Sequence, residues 1–184
     1  MSEPRAASPP PVYFELHIAP LMRELDRRHM LAFSGIDLLA YATVVELSTS
    51  IHDHLVDKSD PMPTRSTGGP WPPEWIQLFE RWIEQKFARL ERAVGTYKAK
   101  REGSSILVTA TGNVPGPGYA VWLGAVVPPG GLNDLALYQR PPDAAAGIAA
   151  PAPFSAKERF PDPAGKITSF TIEDRNGIQT VPVT

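Results

Sequence analysis

Cysteine is missing from this chain of 184 residues. Its absence excludes disulfide staples, thiolate nucleophiles, thiolate zinc sites, iron–sulfur clusters and covalently attached haem together. A surplus of positive charge is missing too. Against 20 Asp and Glu stand 18 Lys and Arg, a formal charge of -2, so no field attracts a phosphate backbone and nucleic acid is not expected as a partner. No window approaches the ~20 apolar residues of a membrane helix. The opening stretch MSEPRAASPPPVYF carries Glu3 and Pro4 where a signal peptide would place lysine and leucine. A cytoplasmic location with no membrane partner is the expectation.

Complete catalytic signatures are also lacking. There is no Gly-x-Ser-x-Gly elbow and no Gly-x-x-x-x-Gly-Lys loop. Ser66-Thr67-Gly68-Gly69 reads as a plain loop, and Gly112-Asn113-Val114-Pro115-Gly116 falls in a strand connection without the helix N-terminus a phosphate needs. Acid pairs such as Asp26 with Asp37, or Asp53 with Asp57, read as solvated or capping carboxylates rather than an acid and a base. No catalytic residue is assigned, and a non-enzymatic role is favoured.

What is present is enough apolar residue, 42%, to bury an ordinary core in one or two small domains. Proline occurs 21 times, about double its usual ~5%, and mostly between periodic segments, which makes the connections stiff. Residues 1–12 read as a disordered lead-in. A first helix is expected from near Ile18, with Pro20 in its opening turn and Ile18, Met22, Leu25 and His29 on one core-facing stripe. Thr43-Val44-Val45-Glu46 matches a capping box that would open a second helix, burying Val44, Leu47, Ile51 and Leu55. A third helix should start at Pro73 and carry Ile76, Phe79, Ile83, Leu90 and Val94 on one side, with Gly95 as its terminator.

After Gly103 the apolar period changes to two, and charged residues thin from 27 in positions 1–102 to 11 in positions 103–184. Strands are expected over 106–111, 119–127, 132–140, 154–160, 166–174 and 178–183, with Asn176-Gly177 as a two-residue hairpin turn. The segment AAAGIAAPAP, 144–153, reads as a loop. The expected fold class is therefore α+β: a three-helix domain over 13–102, then a small antiparallel β-sandwich over 103–184.

Three short pieces of the helical half carry a resemblance. They are Leu25-Asp26-Arg27-Arg28-His29, Met62-Pro63, and Arg81-Trp82-Ile83. In this order, across Phe14 to Lys86, the pattern resembles small cytochrome c domains, and also uncharacterised bacterial domains that share it without cysteines. The resemblance implies a cytochrome c-like fold with His29 and Met62 at the two axial-ligand positions. Leu25 and Arg28 stand where the haem-attachment cysteines would be, so covalent haem is not implied.

All four histidines, His17, His29, His52 and His54, precede residue 55. Imidazole suits zinc, copper and iron, which makes the four a candidate metal set. Against it, His52 and His54 on a helix diverge by about 200°, and a hydrogen-bonded core is the commoner place for His29. Met62 fits a gap-filling role better than a ligand's. Trp71, Trp75 and Trp82 have core spacing, yet Trp is enriched in binding hot spots and the three make a candidate interface. The expected function is that of an accessory protein binding another protein, a larger redox or biosynthetic enzyme among the candidates, through an aromatic- and Pro-rich surface. No cofactor is expected; the alternative is a redox accessory protein with noncovalent haem, copper or zinc. An enzyme with a pocket between its halves is a third class, without residue-level support.

Overall fold

A computed structural model describes residues 10–59, 63, 69–131, 133–142 and 150–184. The chain is mixed α+β and divides into two units, Met1–Arg89 and Leu90–Thr184. The division falls after Arg89 rather than at the expected Gly103, because residues 91–102 belong to the sheets.

The first unit opens with a π-helical turn, Phe14–Ile18, and a 3-10 turn, Ala19–Leu21. Met22 and Arg23 are then extended, with ψ of 95° and 146°. This break resets the helical phase. The helix α1 (Glu24–Ser34) that follows buries none of its residues, so Ile18 and Met22 are core while Leu25 and His29 are exposed. The expected continuous stripe is corrected accordingly.

Helix α2 (Tyr41–Glu46) starts after Ala40, so Thr43 lies inside it and no side chain caps its end. Helix α3 (Ser48–Val56) follows Leu47, and the buried positions of the pair are Val44, Ser48 and Leu55. Helix α4 (Pro73–Glu84) begins at the expected proline but ends ten residues or so before Gly95. Lys86 and Phe87 both adopt φ of 62°, and the Phe87 N–H donates to the Trp82 carbonyl at 3.0 Å, which turns the chain out of the helix. Such left-handed non-glycine residues are uncommon, and two in succession stop a helix.

The second unit holds eight strands: β1 (Glu91–Arg92), β2 (Thr96–Glu102), β3 (Ser105–Val114), β4 (Ala120–Ala125), β5 (Asp134–Arg140), β6 (Ala152–Pro161), β7 (Ser169–Asp174) and β8 (Gly177–Pro182). One sheet runs β2-β3-β6. The other runs β1-β5-β7-β8, with β4 also on β5, and all pairings are antiparallel except β5 with β7. Six strands lie where period-two alternation expects them. Strands β1 and β2 are the additions; in β2, TYKAKRE, the outer face is charged and only Ala99 is buried.

The core draws on both sheets, from Ile106, Val108 and Ala110 of β3 and Ala156 of β6 to Leu135, Leu137, Phe170 and Ile172. Two buried carboxylates brace it. Asp162 accepts from Arg101 Nη1 at 2.8 Å and from the Lys166 and Ile167 amides at 2.9 and 3.0 Å. Burial pushes this carboxyl up, but those hydrogen bonds and the Arg101 charge outweigh it and hold it below the ordinary range. Asp174 accepts from the Tyr97 hydroxyl at 2.8 Å, from Gln179 at 2.9 Å and from the Asn176 amide at 2.8 Å. Burial and this carboxylate push the Tyr97 phenol far up. The Asp174 cap also sets the β7–β8 turn: the loop pair is Arg175-Asn176, one residue before the expected one, and Gly177 alone takes positive φ, at 114°.

Candidate interaction surface

The tryptophans come together, but inward. Trp82 of α4 is fully buried and Trp71 is 6% exposed, while Trp75 is half-buried. Trp82 stacks among Phe14, Phe79 and Phe87 with ring centroids 5.6, 5.7 and 5.1 Å away, and Trp71 meets Trp75 at 5.8 Å and Phe79 at 6.2 Å. Full burial of an indole needs a partner for its N–H. The Ala88 carbonyl supplies one at 2.9 Å. Trp71 and Trp82 are thus core residues of the helical unit, and the expected aromatic interface is corrected at these two positions.

The histidines are spread apart. His17 Nδ1 accepts from the Tyr13 amide at 2.8 Å, at the π-helical turn. His52 Nε2 meets Glu80 Oε1 at 2.8 Å and ties α3 to α4. His54 is exposed on α3. His29 is exposed on α1, where its ring lies 4.5 Å from that of Phe33. Among the described residues no three His, Asp or Glu side chains are grouped to hold a metal ion. Met62 lies outside the described residues.

What sequence reasoning missed is the exposure of α1, which it placed against the core. Its apolar side chains face water: Leu25 is 51% exposed, Leu31 47% and Phe33 79%. At about 100° per residue Leu25, His29 and Phe33 form one stripe, with Leu31 on the opposite side. Polar contacts, not burial, hold the helix. Arg23 Nε donates to Asp26 Oδ2 at 2.7 Å and Arg23 Nη2 to the Gly69 carbonyl at 3.3 Å. Arg27 forms a two-pronged pair with Asp37, at 2.8 and 3.0 Å, and Asp37 Oδ1 accepts from the Leu39 amide at 3.0 Å.

The Arg27 hydrogen bond holds the Asp37 carboxyl below its ordinary range, with partial burial opposing and the Leu39 amide and the Arg27 charge assisting. Gly35 closes the helix at φ of 68°, its N–H donating to the Leu31 carbonyl at 3.1 Å. A partial signal was available: on one continuous helix from Ile18, Leu31 falls about 200° from His29, so the stripe drawn through His29 left Leu31 outside the core.

No protein-family model, curated protein or solved structure matches the chain. Among the described residues no helix is long and apolar enough to cross a membrane.

Proposed function

We propose that this chain is a non-catalytic accessory protein that binds another protein, and that α1 is the surface it offers. The observation that carries the reading is a helix of 11 residues with no buried side chain and three exposed large hydrophobics. Isolated helices shorter than about 12–15 residues are marginal in water, so α1 gains most from a partner that covers Leu25 and Phe33. Arg28 and Glu24, with side chains 73% and 61% exposed, would form the polar rim beside that stripe. On this reading the helical unit is a cytochrome c-like scaffold without covalent haem, supported by Trp82 of Arg81-Trp82-Ile83 at the centre of its core. The β unit is a sandwich, supported by a core drawn from both sheets.

The test places a photo-cross-linking phenylalanine analogue at position 33 and, as control, at exposed Ser50, in the native host. One partner captured through position 33 and not position 50, and released from a pull-down by Phe33→Glu, is the expected result. Equal capture from both positions, or a partner indifferent to Phe33→Glu, would sink the proposal.

A further inference from the structure

A second feature lies in the β unit and is independent of α1. Between β4 and β5 the chain folds back through residues 126–131, and its glycines press on the side chain of Asp134. A Cβ at Gly130 would collide with Asp134 Oδ2, and one at Gly131 would lie 3.3 Å from it. The loop is thus shaped around that oxygen. Asp134 is half-buried, and among the described residues its carboxylate has no hydrogen-bond or ion-pair partner. Beside it opens a cleft of about 460 Å³, lined by Ala125, Pro129, Leu135 and Phe160 as well as by Gly130, Gly131 and Asp134. That volume lies within the ~300–1,000 Å³ of small-ligand sites, and among the described residues the lining of this open cleft is mostly apolar, with one carboxylate to orient a guest.

We propose that this cleft binds an organic ammonium group carried on a short alkyl chain. A carboxylate lacking a protein partner selects a cation, since charge-assisted hydrogen bonds are the strong ones. A divalent metal ion is a poorer match, because its remaining ligands would be waters, and the apolar walls among the described residues offer those waters few hydrogen-bond partners. The Ala125, Leu135 and Phe160 side chains suit a chain of methylenes, and an aromatic wall adds attraction for a cation near its face. Two sources carry this chemistry, a free alkylamine and the side chain of a lysine.

The experiment titrates the full chain with n-hexylammonium, 1-hexanol and Nα-acetyl-lysine N-methylamide, following backbone amide shifts by NMR. Saturable shifts at Ala125, Gly130, Gly131, Asp134 and Phe160, with hexanol bound roughly tenfold more weakly than hexylammonium, are expected. Asp134→Asn should weaken hexylammonium by a similar factor and leave hexanol unchanged. The tighter of the two cations names the source. Should hexanol bind as well as hexylammonium, should neither cation saturate, or should Asp134→Asn leave binding intact, the assignment fails. The wild-type comparison of hexanol with hexylammonium decides the matter even if the variant does not fold, and none of these outcomes bears on α1.

Discussion

Helices α1 and α4 have nearly equal lengths, 11 and 12 residues, and opposite fates. In α4 the apolar residues Trp75, Ile76, Phe79, Trp82 and Ile83 fall on one side, so a single face can be buried, and Phe79 and Trp82 are fully so. In α1, Leu25 and Phe33 point one way and Leu31 the other, so no single surface could bury them all. One helix is held by hydrocarbon packing and the other by Arg23, Arg27 and a glycine cap. Equal length and similar apolar content do not make equal helices; what matters is whether the apolar residues share a face and whether that face has a neighbour.

The largest effect that would sharpen this contrast is expected at Trp82. Trp82→Ala should destabilise the helical unit by about 3–5 kcal/mol, with the Ala88 carbonyl left without its indole donor, read as a fall in the urea midpoint. At the cap of α1, Gly35→Ala meets no atom within 4 Å, so its cost is that of the left-handed backbone alone, about 1–2 kcal/mol. Circular dichroism should register it as lost helix.

The Arg27–Asp37 pair gives a smaller, pH-dependent term. A carboxyl whose folded pKa is depressed binds fewer protons folded than unfolded, so its stabilisation is complete above the ordinary value of about 4 and is lost as pH falls through the lower folded value. Asp37→Asn should cost under about 1 kcal/mol at neutral pH and flatten part of the acid limb of the urea midpoint. An unchanged acid limb would show that the pair does not tether α1. The smallest effect on stability belongs to Phe33→Ala, within about 0.5 kcal/mol, since a side chain 79% exposed leaves no cavity. A loss as large as that at Trp82 would erase the contrast between the helices.

Much of the β unit was legible beforehand. Alternation in β3 and β7, with Gly and Pro between the segments, marks strands because successive side chains must point to opposite faces of a sheet. Pro73 marks the start of α4 because a first-turn proline forfeits no helical hydrogen bond. Strand β2 was not legible. Its charged composition suits a strand only because Arg101 reaches Asp162, 61 residues away, and Ala99 packs into a core assembled elsewhere.

The candidate sites divide the same way. From the residues alone came the exclusion of thiolate chemistry, the spacing of the tryptophans and the clustering of histidines early in the chain. Which way each of these side chains faces was settled by long-range contacts. Trp82 could go inside because a carbonyl at Ala88 meets its N–H, and His29 turned outward because Met22 and Arg23 are extended and restart the helix in a new phase. Periodicity along a chain tells which residues share a face; only the folded chain decides whether that face meets protein or water.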